Sequence, residues 1–168
     1  MSENNSLAEE MDALQDKYLI FHLGEQIFAL EIRHVAEIIG MQKITPLPFE
    51  ADFVKGVINL RGQVIPVMDA RLRLGMEERP YDDRTCIIIC KVKEMLIGLI
   101  VDSVNEVTTI LPDQIEEPPR LRKNKRTNFL QGLAKKDDGV HLVIDVQNFL
   151  FAEELVAWQS TMAVNETN

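Results

Sequence analysis

The chain has 168 residues, 46% of them apolar, and a net charge of −9 from 27 acids against 18 bases, which fits one domain or two small coupled ones with a packed core. The charge has the wrong sign for a general nucleic-acid binder, whose affinity comes from neutralising phosphates, and it favours partners with basic patches. No apolar run approaches a membrane span, and the start MSENNSLAEEMD lacks the segments of a signal peptide, so a cytoplasmic protein is expected.

Residues 1–16 carry five acids and no base and read as a polar tail with a helical turn through Leu7–Leu14. Strands are predicted at Lys17–Leu23 and Gln26–Ile32, joined by Gly24-Glu25. The apolar positions Ile32, Val35 and Ile39 suit one or two helical turns, with a strand as the alternative, and Gly40 ends the element. Ile44–Phe53 holds two prolines and reads as an extended loop. The stretch FVKGVINLRGQVIPVMDARLRLGM (53–76) then gives two apolar runs, Val54–Leu60 and Gln63–Asp69, around the pair Arg61-Gly62. Runs rich in Val and Ile broken by a Gly turn make a β-hairpin. Pro66 inside the second run points to an edge strand or a bulge. Asp69 caps a short helix, Ala70–Leu74, which Gly75 stops.

Met76–Arg84 is polar, contains Pro80 and reads as a linker. Strands follow at Thr85–Val92, Met95–Val101 and around Glu106–Leu111, with a turn at Pro112-Asp113. Pro118–Asn128 is a long polar loop. Phe129–Ala134 and Val140–Asp145 form another hairpin around Asp138-Gly139, a strong turn pair. Asp145 then caps a C-terminal amphipathic helix carrying Phe149, Leu150, Leu155 and Trp158.

The order of elements repeats. IFALEIRHVAEI (27–38) lies over LIGLIVDSVNEV (96–107) with an offset of 101 − 32 = 69, so that Val35 meets Val104 and Glu37 meets Glu106. Residues 53–69 lie over 129–145 with an offset of 129 − 53 = 76; Phe53 meets Phe129, Gly56 meets Gly132 and Asp69 meets Asp145. The extra residues of the second copy fall in the loop holding Arg120, Arg122, Lys123, Lys125 and Arg126. Many short strands with Gly turns build barrels, so two small, similar β-barrels are expected. Each alone has a thin core, and the two should bury apolar surface against each other. The turn chemistry differs between copies: Arg61 aligns with Asp137 and Asn59 with Lys135. Residues peculiar to the first copy are the better candidates for function, and an Arg61–Glu37 ion pair is plausible chemistry.

No catalytic constellation is present: there is no nucleophile elbow, phosphate loop or Walker lysine. Asp69, Asp102 and Asp145 close apolar strands, and helix capping explains the first and last. Cys86 and Cys90 on one strand would lie about 13 Å apart at roughly 3.3 Å per residue, too far for a disulfide; they read as small buried hydrophobes. His22, His34 and His141 are scattered and make no metal site. No metal or other cofactor is expected. The basic loop lacks the aromatic platforms of a single-strand binder and reads as a solvated connection or a charged protein contact.

The combination of Gly56, Asn59-Leu60-Arg61-Gly62 and the run VIPVMD (64–69), with Ile32–Ile38 and Phe129–Leu133, resembles the CheW family of chemotaxis coupling proteins over about Lys17–Glu154. The fold this implies is all-β: two packed SH3-like five-stranded β-barrels from an internal duplication, with short helices and a C-terminal helix. The implied organisation is an acidic tail (1–16), one domain (17–154) with subdomains at about 17–80 and 81–145 and an open question of strand exchange, and a helix and tail over 146–168. The implied function is that of a non-enzymatic adaptor coupling methyl-accepting chemoreceptors to the histidine kinase CheA in signalling arrays, with the regulatory domain of that kinase, the receptor tip and other CheW copies in array rings as partners. Contact with the membrane would be indirect, through receptors. Carried over by position, the receptor-binding groove between the barrels includes Val35, Glu37, Gly56, Asn59, Arg61 and Ile87, and a kinase contact falls near Leu121. Cys86 stands at a groove-side position where the family often has an aliphatic residue.

Two other readings stay open at this level. Couplers of this type also serve chemotaxis-like pathways for surface motility or gene control. A nucleic-acid-binding barrel rests on the basic loop alone. A CheV protein would add a receiver domain, which is not expected in a chain ending at Asn168.

Overall fold

Strands of six or seven residues fill the chain because its apolar runs are that long and are punctuated by Gly, Asn and Asp. The computed structural model describes residues 13–48, 52–118 and 129–150. In the first copy the elements are β1 (Lys17–Leu23), β2 (Gln26–Glu31), β3 (Val35–Gly40), β4 (Val54–Leu60), β5 (Gln63–Asp69) and the helical turn α1 (Ala70–Arg73). In the second they are β6 (Cys86–Val92), β7 (Met95–Val101), β8 (Ser103–Thr109), the two-residue β9 (Ile115–Glu116), β10 (Leu130–Lys136), β11 (Gly139–Ile144) and α2 (Val146–Leu150). An offset of 69 carries β1 onto β6, and one of 76 carries β4 onto β10, residue for residue.

The repeat extends to irregularities. The β4–β5 pairing slips between Val54 and Gly56, and the β10–β11 pairing slips between Leu130 and Gly132. Each α-turn is entered by the same bond, from the Asp69 N–H to the Phe53 carbonyl (2.7 Å) and from the Asp145 N–H to the Phe129 carbonyl (2.6 Å). Both aspartates cap as expected: Asp69 Oδ1 accepts from the Leu72 N–H, and Asp145 Oδ1 from those of Gln147 and Asn148.

The strands form two sheets, ordered β8-β1-β2-β11-β10-β9 and β3-β6-β7-β5-β4. These are the two SH3-like barrels. Each takes its leading hairpin from the other copy: β1–β2 join β8–β11, and β6–β7 join β3–β5. The boundary near residue 80 therefore separates the copies of the repeat and not the sheets. The exchanged hairpins attach by parallel pairing, β2 to β11 and β7 to β5.

Two local expectations change. The stretch after Ile32 is a single 3-10 turn (Ile32–His34) followed by β3, so its helical option loses to pairing with β6. Pro66 lies on β5, which is an interior strand between β7 and β4, not an edge. Its partner Val57 points its own N–H and C=O away, to Thr45, and pairing with β7 begins only at Val67. The missing N–H of Pro66 thus has no ladder bond to lose. The tail through Asp12, the basic loop and the continuation of the C-terminal helix expected beyond Leu150 lie outside the described residues.

Each barrel has its own interior cluster: Tyr18, Ile20, Ile27, Ala29, Ala134 and Val143 in the first, and Ile58, Ile65, Val67, Ile87, Ile89 and Ile100 in the second. The largest cluster lies between them and draws Leu19, Phe21, Leu23, Phe28 and Leu30 from one sheet and Met68, Ile88, Cys90 and Leu99 from the other. Exposing five such side chains costs about 1.5–3 kcal/mol each. That matches the whole net stability of a domain, roughly 5–15 kcal/mol, so the barrels behave as one folding unit.

Polar clasps flank this interface. Asp102, between β7 and β8, accepts from the Gly24 N–H (2.7 Å), from Arg71 Nε on α1 (2.8 Å) and from Arg79 in the linker (3.3 Å). Burial alone would raise the Asp102 carboxyl, but the Arg71 and Gly24 hydrogen bonds hold it below the usual range. Arg73 donates to the carbonyls of Phe149 (3.1 Å) and Asn148 (3.2 Å) and lies over the rings of Phe53 and Phe149, tying α1 to α2. The linker is pinned rather than free: the Tyr81 hydroxyl donates to Asp69 Oδ2 (2.8 Å).

Candidate functional site: the seam of the second barrel

The β4–β5 hairpin turns through Arg61 (φ 50°) and Gly62 (φ 85°). Two central residues with positive φ define the turn whose twist suits a two-residue hairpin. Asn59 Oδ1 accepts from the Gly62 N–H at 2.9 Å, so Asn59 shapes this turn and presents Arg61. The Arg61 guanidinium pairs with the Glu37 carboxylate. Glu37 lies on β3 and Arg61 follows β4, and these strands are the two edges of one sheet. The ion pair therefore spans the seam where the barrel closes. Arg61 keeps 73% of its side chain exposed and Glu37 32%. Such a pair gains little in stability and leaves guanidinium donors available to a partner.

Strand phase sorts the neighbours. Ile39 packs on the interior cluster of the second barrel, while Ala36, Ile38 and Gly40 point outward. Ile38 pairs in register with Ile88 of the central cluster, yet is 44% exposed. It carries the apolar inter-barrel face out to solvent at an unpaired strand edge. Val64, opposite Asn59 on the hairpin, is 48% exposed. The sheet thus carries an exposed ion pair at its seam, and Ile38, on the opposite face of β3 from Glu37, and Val64 on the hairpin are its exposed apolar side chains. The repeat places a second exposed pair, Val107 and Val140, at the positions matching Ile38 and Val64.

Of the residues expected here, Glu37, Asn59 and Arg61 come together at the seam, and Val35 lies two residues along β3, partly buried against the central cluster. Ile87 is fully buried inside the second barrel, opposite Ile39. The phase of β6 turns it inward, so it shapes the strand beneath the surface. Gly56 is buried as well. Its φ is 147°, and a Cβ there would meet the Thr45 carbonyl oxygen at 2.1 Å. The backbone that approaches it closely is the chain's own. Leu121 lies outside the described residues.

Ile38 and Val64 were missed by sequence reasoning. The signal was present: in a strand VAEIIG one of the two adjacent isoleucines has to face outward, but only the pairing of β3 identifies which. Cys86 is half-buried beside Gly40, and Cys90 is buried in the central cluster, where burial pushes its thiol up to about 12. Both are free.

Comparison with known proteins agrees with this architecture. A family model described as CheW-like domain matches residues 17–154. The chemotaxis protein CheW of Klebsiella aerogenes is 30% identical over 144 residues, covering 86% of this chain and 87% of that one. The probable chemotaxis protein CheW of Rhizobium etli is 34% identical over 139 residues, covering 82% and 89%. In three dimensions the chain is similar to the scaffolding protein TtCheW from Thermoanaerobacter tengcongensis, with a TM-score of 0.75 and 35% identity over 83% of this chain and 94% of that one. Sequence motifs, exchanged barrels and relatives converge, and the chain belongs to the CheW-like family of chemotaxis scaffolding proteins.

Proposed function

We propose that this protein is a cytoplasmic, non-enzymatic coupler that binds the cytoplasmic tip of chemoreceptors through the seam of its second barrel and links them to the histidine kinase CheA. The observation that carries the reading is the Glu37–Arg61 pair, a charged anchor across the seam of a sheet that also exposes Ile38 and Val64. A helical receptor tip needs apolar wall and a few fixed polar contacts, and an arginine at such a centre is a common hot spot. Val35 supports the wall, and Asn59 and Gly56 hold the hairpin that presents Arg61. Ile87 acts from beneath. The kinase contact falls on the second copy near Leu121, and the exposed Val107 and Val140 offer surface for the kinase regulatory domain or for further copies in array rings.

The test is reconstitution with a cognate kinase and receptor fragment. Kinase activity should come under receptor control only when this protein is added, and Arg61→Ala should abolish that control while the kinase alone is unaffected. Full control with Arg61→Ala, or control without the protein, sinks the assignment.

A further inference from the structure

Beside the Asp102 clasp, the linker and the first barrel form an open polar cavity of about 390 Å³ lined by His22, Arg79, Asp82, Arg84, Asp102, Ser103 and Asn105. Three segments converge there: the end of β1, the linker before β6 and the start of β8. None of them belongs to the Glu37–Arg61 seam.

The carboxylates of the cavity are already committed. Asp102 accepts from Gly24, Arg71 and Arg79. Asp82 Oδ1 accepts from the N–H groups of Arg84 (2.8 Å) and Thr85 (3.2 Å), and its Oδ2 lies 3.6 Å from Arg79. Among the described residues, the Arg84 guanidinium, the Ser103 hydroxyl and the Asn105 amide have no side-chain partner. The lining sets two arginines against two carboxylates, and with Arg79 paired to both carboxylates the Arg84 guanidinium, Ser103 and Asn105 are the donors left for a ligand. The linker is also preorganised. The Asp82 N–H donates to Thr85 Oγ1 at 2.9 Å, closing a tight turn with the Asp82 carboxylate. A loop held in place before binding loses less entropy when a ligand arrives.

We propose that this cavity binds a small phosphate-type oxyanion. Arg84 supplies the planar fork that matches a phosphate, and Ser103 and Asn105 the neutral donors, while Arg79 offsets the charge of Asp82 and Asp102 beside them. The anion bridges the linker, which leaves the second barrel through α1, to β1 and β8 of the first barrel, and so tightens the inter-barrel clasp.

The experiment is an amide-resolved NMR titration of the full chain with inorganic phosphate at constant ionic strength, with sodium chloride as the matched reference because screening alone moves surface charges. The expected result is saturable shifts at Gly24, Arg84, Thr85 and Ser103 that chloride does not produce. Arg84→Gln should weaken binding roughly tenfold or more, the loss of one charge-assisted hydrogen bond. Arg33→Gln, at an exposed arginine outside the cavity, should leave affinity unchanged. Phosphate shifts that do not saturate, or an unaltered affinity in Arg84→Gln with a native spectrum, overturn the proposal. Citrate producing the same shifts while phosphate is silent overturns the phosphate assignment in favour of carboxylates.

Discussion

Arg61 and Glu37 sit on the two opposite edges of one sheet, and their ion pair crosses the line where the second barrel closes. The pair holds the seam and displays its charge at once, and those roles separate experimentally. Exposed pairs contribute about 0–1 kcal/mol. Arg61→Ala and Glu37→Ala should each melt within a few degrees of the parent while capturing much less receptor fragment in a pull-down. The double reversal Glu37→Arg with Arg61→Glu should recover part of the capture that either single reversal loses. A swap no better than the singles would show that the residues act on the partner independently.

Gly56 and Gly62 are both glycines with positive φ in one hairpin, but only Gly56 has no room. A Cβ on Gly56 would lie 2.1 Å from the Thr45 carbonyl oxygen, whereas one on Gly62 meets nothing within 4 Å. Gly62→Ala should cost about 1 kcal/mol, the backbone preference alone. Gly56→Ala must also displace the Thr45–Val57 bridge and should cost roughly 3 kcal/mol or more. Equal denaturation midpoints for the two variants would contradict this geometry.

Asp102 makes the stability of the protein depend on acid. Its carboxyl is held below the usual value, chiefly by Arg71 and Gly24 against the opposing effect of burial. A carboxylate depressed in the folded state stabilises above its unfolded value near 3.8, and that stabilisation fades as pH falls through the lower folded value. The parent should therefore lose stability steeply from about pH 4 downward. Asp102→Asn should be weaker by about 2–4 kcal/mol at neutral pH and flatter across the acid range. Parallel pH profiles of the two proteins would exclude the clasp as the cause.

His141 occupies a core position in the first barrel. Its residue is 4% exposed, Nε2 lies 2.8 Å from Asp138 Oδ1, and Nδ1 is buried without a hydrogen-bond partner among the described residues. The matching position in the second barrel is Ile65, inside the apolar cluster. An unsatisfied buried polar atom costs about 1–3 kcal/mol, and the exposed Asp138 can rehydrate once its partner is gone. His141→Ile should raise the unfolding free energy by about 1–2 kcal/mol, while His141→Ala should lower it by opening a cavity. Destabilisation by both would mean that the Asp138 bond outweighs the orphaned nitrogen.

The thiols should separate in reactivity. Cys90 is buried and its thiol is pushed up to about 12, whereas Cys86 is half-buried. Since the thiolate is the reactive form, a thiol reagent at neutral pH should label Cys86 slowly and Cys90 only after denaturation. Rapid labelling of both in the native protein would show that the central cluster opens.

The local architecture was legible from residue order alone. Lys17–Leu23, Val54–Leu60, Gln63–Asp69 and Met95–Val101 are strands with the bounds their apolar runs suggest, because turn residues and side-chain phase act within a few positions. The duplication was legible for the same reason, as was the capping by Asp69 and Asp145. Tertiary structure alone decided which edges pair. Exchange of the leading hairpins follows from burying Leu19, Phe28, Ile88 and Leu99 in one shared cluster, and no local pattern encodes a partner strand a hundred residues away. That pairing made β3 a strand when its apolar spacing also suited a helix, and it placed Pro66 on an interior strand beyond the reach of the ladder. It also turned Ile87 inward and Ile38 outward. Glu37, Asn59 and Arg61 were named by sequence, but Ile38 and Val64 came only with the closure of the barrel, since exposure depends on what the rest of the chain covers.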